Sequence, residues 1–318
     1  MENRSFRITY QRERISYYSN ALVRRLIGRN LSEPHFNRNV MTAEEGNGRL
    51  QQLVESGKPF AAARFGGTET KTIADVLYTK AGGRLGGVSD RTLQRIMELS
   101  GFFPADKKAL EQFTQLYLNS SSQIDLLGVW NILLQGYLAD NYVINAQLAE
   151  LRMFEPYYFE NPWTVALRGK RVVVVHPFAD TINRQYERRE KLFTNQNILP
   201  EFKLRTVKAV QTLAEEHDER FATWFEALDY MYYECMKEDF DIALIGCGAY
   251  GYPLAAKLKQ AEKQAVHIGG SLQLLFGIKG SRWDEHEIIS KLYNDAWVRP
   301  AQTEIIQKAD KVEGSCYW

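Results

Sequence analysis

The chain has 318 residues, 45% of them apolar, so one large domain or two ordinary ones can bury a hydrophobic core without disulfide or metal staples. Forty Lys and Arg against 39 Asp and Glu leave a net charge of +1, which excludes a nucleic-acid binder working by bulk charge and an acidic disordered tail. Cys235, Cys247 and Cys316 form no C-x-x-C pair, no apolar segment follows Met1, and no run approaches the ~18 apolar residues of a membrane helix. A soluble, reduced, cytoplasmic protein is therefore expected.

Residues 11–28 read as a helix with arginines spread along it. Residues 42–57 read as a second, opened by Thr42 with Glu45 three positions on, the spacing of a capping box. Residues 59–65 form a short buried strand broken by Gly66-Gly67, and Thr68 is the expected N-cap of a helix to about Lys80. Gly82-Gly83 and Gly86-Gly87 mark a loop, followed by helical patterns at 89–100 and 106–119. Residues 124–130 are a strand candidate, with Asn131 opening a short helix. The run Val172-Val173-Val174-Val175 is β-branched and apolar on both faces, as in the middle of a parallel sheet. Beyond it come a helix at 180–193, a strand at 203–209, an aromatic-rich helix at 219–238, a strand at 242–245, a helix at 250–260 and a strand at 265–268.

This alternation predicts an α/β fold: a Rossmann-like, doubly wound, mostly parallel sheet with helices on both faces and an N-terminal helical extension. The expected organisation is a basic helical extension over 1–41, an α/β domain over 42–298 and a tail over 299–318. The passage 155–162, with two prolines and two tyrosines, would separate halves at 42–155 and 163–298.

In such sheets ligands bind beyond the carboxyl ends of the strands, where helix starts present backbone N–H groups. Three strand ends carry unusual chemistry. At Arg64-Phe65-Gly66-Gly67-Thr68-Glu69, two glycines let amides approach a ligand, and Arg64 adds a cation suited to phosphate oxygens. Glu69 would hold a bridging divalent cation or act as base on an acceptor hydroxyl; alternatively it serves the helix dipole, with Arg64 as its ion-pair partner. At Gly246-Cys247-Gly248-Ala249-Tyr250-Gly251, G-x-G-x-x-G follows a strand. The next strand ends His267-Ile268-Gly269-Gly270 without the carboxylate a dinucleotide ribose needs, so a nucleotide or diphosphate cradle is favoured over NAD, and a plain tight turn stays open. The third end continues from His267 through Gly269, Gly270 and Gln273 to Lys279, Arg282 and Trp283; His176 closes the 172–175 strand in the same position. The plain readings there are solvated loop charge, a core indole and a structural histidine. Asp239-Phe240-Asp241 precedes its strand and reads as a helix end, and no G-x-S-x-G, H-E-x-x-H or P-loop motif is present. Seven arginines against two glutamates give residues 1–30 a charge of +5, either a solvated helical face or a contact with an anionic membrane or lipid-linked acceptor.

The pairing of the Arg64–Glu69 segment with the Ile245–Gly251 turn and the His267–Gly270 segment resembles the bacterial glycosyltransferases of GT-D fold, over roughly residues 45–285. In that family a strand ends in an R-x-G-D-G-E-like segment whose two carboxylates are associated with a metal and the donor diphosphate. Arg64 and Gly66 match this pattern and Glu69 matches its second carboxylate, while Gly67 stands where the first would be, which puts Mn or Mg dependence in doubt. The resemblance implies a nucleotide-sugar donor, most simply a UDP-sugar, and a glycan, lipid-linked or protein-linked acceptor in surface-polysaccharide or glycoprotein assembly at the inner face of the membrane. It assigns Glu69 and Arg64 to catalysis. Gly66, Gly67, Thr68, His176, Gly246, Gly248, Tyr250, His267, Gly269, Gly270, Gln273, Lys279 and Arg282 go to the donor, without NAD or nucleic acid. The other readings are a non-catalytic nucleotide-sugar binder and an NAD-dependent oxidoreductase.

Overall fold

The computed structural model describes residues 2–27, 36–83, 87–213, 218–306 and Tyr317. Arg29, Gly86, Cys316 and most of the tail from 299 lie outside the described residues, as do the side chains of Arg24 and Arg25.

Eight strands form one sheet in the order β1-β4-β3-β2-β8-β7-β5-β6, every pair parallel. They are β1 (Val40–Met41), β2 (Phe60–Arg64), β3 (Leu126–Val129), β4 (Gln147–Glu150), β5 (Arg171–His176), β6 (Lys203–Lys208), β7 (Ile242–Ile245) and β8 (Gln264–His267). The valine run behaves as its composition requires: Val173 and Val175 face one core cluster, Val172 and Val174 the other. One cluster is covered by α3 (Gly67–Lys80), α5 (Lys107–Ser121), α8 (Trp224–Met236) and α9 (Gly251–Gln260), the other by α2 (Ala43–Glu55) and α7 (Ala179–Tyr186). Helices thus cover both faces.

The Thr42 capping box forms as expected: Glu45 N–H donates to Thr42 Oγ1 at 3.3 Å and Thr42 N–H to Glu45 Oε2 at 2.8 Å. Several expected boundaries move. The first helix, α1, spans Glu2–Ile27, because Phe6 and Tyr10 are drawn onto α3 beside Ala74 and Tyr78, a contact that apolar spacing at 11–28 does not reveal. The cap of α3 is Gly66 rather than Thr68, which sits inside the first turn. Asn131 opens no helix; α6 (Gln135–Tyr142) starts after Leu134, which takes the left-handed conformation. The 180–193 pattern is helical only to Tyr186, and α8 begins at its Thr223 cap. Strands β1 and β4 were not expected; two and four residues are too short to show a period.

Residues 155–162 link the two halves through short 3-10 turns with Tyr157 and Phe159 buried, and β2 pairs directly with β8. Both halves therefore build one sheet. Asp239 and Asp241 lie at its amino edge, each 2.6 Å from an Arg171 guanidinium nitrogen.

Candidate functional site

Because every strand is parallel, Arg64, His176, Ile245 and His267 all end their strands at one edge. The chain leaves β5 into α7 on one face and β7 into α9 on the other, so a topological switch point lies between these neighbours. Gly246 sits there. A Cβ on it would stand 2.7 Å from His176 Cδ2 and 2.9 Å from the Gly269 carbonyl oxygen, so a larger residue would push the loops apart. Gly269 has φ +81°, and a Cβ there would meet Arg64 Cδ at 3.3 Å. The Arg64 side chain therefore lies directly against the turn that follows β8. Beneath, the ring of Phe65 stacks on Tyr252 at 4.6 Å and Tyr252 on Tyr117 at 5.3 Å, tying the end of β2 to the start of α9. Segments nearly two hundred residues apart thus meet at one edge of the sheet.

Arg64 is half-buried, its guanidinium 4.7 Å from the Trp130 ring centroid. Burial pulls its pKa below the usual range, opposed by the Tyr317 hydroxyl, Glu155 and Glu69, and an arginine stays charged. Trp130 is fixed by its indole N–H, which donates to the Phe65 carbonyl at 3.1 Å. Glu155, in the loop after β4, feels the charge of Arg64 through space without an ion pair to it among the described residues. Burial raises its pKa, while Arg64 foremost, then Ser271, Arg152 and Tyr157, hold it down. His267 Nδ1 and Gln273 Oε1 are buried without a hydrogen-bond partner in this neighbourhood, where water or a ligand would satisfy them.

The residues singled out from sequence divide. Gly248 has nothing within 4 Å of where a Cβ would stand, so its backbone is open. Gly67 likewise leaves ordinary contact space toward Ile132 and Trp130, and Thr68 follows it in the first turn of α3. Glu69 turns inward instead. It is 8% exposed, Oε1 accepts from Ser100 Oγ at 2.6 Å, and Oε2 lies where a Cβ on Gly66 would stand. This is the posture of a carboxylate serving its own helix start. Tyr250 also turns inward, stacked on Trp224 at 4.5 Å with its hydroxyl 3.2 Å from Thr212 Oγ1, and offers no ring to the crevice. Burial lowers both His176 and His267 to about 3, so neither is a cation at neutral pH. His176 Nδ1 accepts from the Phe178 N–H at 3.0 Å, which braces the turn after β5.

The Gln273 amide donates to the carbonyls of Ile278, Lys279 and Tyr317. Lys279 lies with its Nζ 5.1 Å from the Tyr293 ring centroid. Arg282 donates to Tyr317 OH at 3.3 Å, and the Tyr317 ring lies over Gly270.

Sequence reasoning missed two further features of this edge. Glu304, 2% exposed, lays its carboxylate on the first turn of α7, accepting from the N–H of Asp180 at 2.9 Å and of Thr181 at 3.2 Å, and from the Thr181 hydroxyl. The chain's own acid thus takes the place an anion would favour there. Beside it a cavity of about 400 Å³ opens past β6, lined by Lys208, Gln211, Asp218, Arg220, Tyr230 and Glu304. Nothing in the local composition of 299–306 announces a sheet-edge role.

Among the described residues no three His, Cys, Asp or Glu side chains gather to hold a metal ion. Glu69 has one oxygen bound to Ser100 and the other folded over Gly66. This donor set does not fit a protein-held divalent cation.

No family model and no curated protein matches this chain. Two solved structures are similar to it, each at 13% identity over 84% of this chain and 92% of the other. One, with a TM-score of 0.42, is of the highly conserved domain of unknown function 1792, described as having a distinct glycosyltransferase fold; the other, at 0.44, is a selenomethionine-substituted structure of domain of unknown function 1792.

Proposed function

We propose that this protein is a glycosyltransferase, moving a sugar from a nucleotide-diphosphate donor, a UDP-sugar by the resemblance of its motifs, to a hydroxyl of a glycan, lipid-linked or protein-linked acceptor in bacterial surface-polysaccharide or glycoprotein assembly. The observation that carries this reading is the seating of Arg64 against Gly269, with Gly246 touching the same turn from β7. A fixed cation and two glycine turns at one sheet edge are what a diphosphate asks for.

In the reaction the acceptor oxygen bonds to the anomeric carbon as the carbon–oxygen bond to the diphosphate breaks. Negative charge grows on the leaving phosphates, and a positioned cation there supplies the largest single stabilisation. Arg64 takes this role, helped by the backbone N–H of Gly248, which is open where those of Gly246 and Gly269 are donated to the Val175 and Ile245 carbonyls, and by Arg282 at the rim. Glu155, within the electrostatic reach of Arg64, accepts the acceptor's proton. Trp130 offers an apolar wall for a sugar face.

Glu69 receives a different role here from the one its motif suggests: it holds the β2–α3 turn. Glu69→Gln keeps an acceptor for Ser100 and removes charge from the helix start, so stability should fall by about 0.5–1 kcal/mol in chemical denaturation. Transfer should stay within about tenfold of wild type, whereas loss of a base would cost ~10²–10⁴.

The deciding experiment is a thermal-shift panel of UDP, UDP-sugars and NADH, followed by a turnover assay. A ligand at a hundredfold excess over Kd adds about 2.7 kcal/mol, enough to raise the melting temperature clearly. Stabilisation by NADH but not by UDP would reject the reading. The inward turn of Glu69 and the glycine at position 67 favour one second reading, a non-catalytic nucleotide-sugar binder. Firm UDP-sugar binding with neither transfer nor hydrolysis would establish it.

A further inference from the structure

No described helix is long and apolar enough to cross a membrane, yet α1 has the makings of one that lies on a membrane. It runs 26 residues. One face is docked: Phe6 and Tyr10 are buried against α3, and Tyr10 OH donates to Asp75 Oδ1 at 2.7 Å. The opposite face carries Ile8, Ile15, Tyr18, Leu22 and Leu26, between 46% and 72% exposed. Their spacings of seven, three, four and four keep them within a stripe of roughly 80° on an α-helix. The exposed large hydrophobics elsewhere on the described chain are Ile144, Tyr233 and Ile288 alone, so this one helix holds five of eight. A stripe of this size on water is expensive unless something covers it.

Charge indicates what covers it. Arg4 and Arg12 are exposed beside or within the stripe; Arg7, which donates to the Gly82 carbonyl at 3.1 Å, and Arg14, 6.0 Å from the Tyr10 ring centroid, border its other side. Glu13 falls by helical position on the docked face, away from the stripe. Apolar residues flanked by arginines, with acid kept to the far side, is the composition of a helix lying in a lipid interface. A coiled-coil partner would call instead for mixed charges along the flanks.

We infer that α1 docks the protein on an anionic lipid surface, its stripe sunk to the acyl boundary and the exposed Arg4 and Arg12 among the headgroups. This surface is independent of the chemistry proposed for the crevice and stands or falls separately from it.

Vesicle co-sedimentation of the full chain tests it, using phosphatidylcholine alone and phosphatidylcholine with roughly 30% phosphatidylglycerol. Binding should require the anionic lipid and weaken as salt rises. Arg12→Ala should lower the partition coefficient about fivefold. The double variant Ile15→Asp, Leu22→Asp should abolish binding, and since both sites are exposed its melting temperature should match wild type. Failure of the wild-type chain to bind anionic vesicles at low salt overturns the inference, as does binding that survives the double variant. A dimer in light scattering that Leu22→Asp splits would assign the stripe to a second copy and overturn it equally.

Discussion

Arg64→Ala should lower the turnover of nucleotide-sugar by about 10²–10³-fold while leaving the fold intact. That is the usual cost of removing one preorganised donor from a site where charge develops in the transition state. The half-buried position makes the loss larger than at an open surface, because water replaces the guanidinium poorly there. Arg64→Lys should recover only part of the rate. Lysine keeps the charge but loses the planar fork and the stacking on Trp130 seen at 4.7 Å. Steady-state kinetics with a UDP-sugar panel would check this, and an Arg64→Ala rate within threefold of wild type would remove Arg64 from the mechanism.

Glu155→Gln should cost about 10²–10⁴-fold in transfer and yet leave the protein as stable as before, or more so. Burial raises the Glu155 pKa. At low pH, where folded and unfolded chains both hold the proton, this acid costs nothing. As pH climbs past the ordinary carboxyl range, the unfolded chain ionises first and stability falls, until the folded acid ionises too. The glutamine removes that penalty, so its melting temperature at neutral pH should hold or rise while activity is lost.

The same shift predicts activity that grows with pH on the acid side, as Glu155 becomes a base. The charged and titratable groups facing it are Arg64, Arg152, Tyr157 and Tyr158, with the Ser271 hydroxyl between loops. Arg64 is the strongest of those holding the pKa down, so in Arg64→Ala the acid limb of the residual activity should move to higher pH. An unchanged acid limb would mean that some other group titrates.

The sequence makes the sheet legible where residues are forced. Four consecutive valines leave no choice but a strand covered on both sides, and glycine pairs after strands at 66–67, 246–248 and 269–270 mark the edge where chains can approach one another. The convergence of Arg64 with Gly269 follows once every strand runs the same way. What stays hidden is side-chain direction. Glu69 and Tyr250 look exposed in a motif, but one reaches back to Ser100 and the other stacks on Trp224, both choices made by distant parts of the chain. Glu155 sits in a stretch whose prolines and tyrosines read as a boundary between halves; only the 3-10 turns that pack Tyr157 inward put its carboxylate within the electrostatic reach of Arg64. Glu304 lies more than a hundred residues from the helix start it fills, and no local pattern could announce it.

The pairing of Ala61 with Ala265 has a consequence for synthesis. While the chain emerges from the ribosome, β2 can find β3 early, but its other flank stays bare until about two hundred further residues have been made. Such late closure is slow, and an open strand edge invites pairing with the wrong chain. Truncated products ending before β8 should therefore associate and precipitate, and the last strand to be added is the one that brings Gly269 to Arg64 and makes the carboxyl edge of the sheet whole.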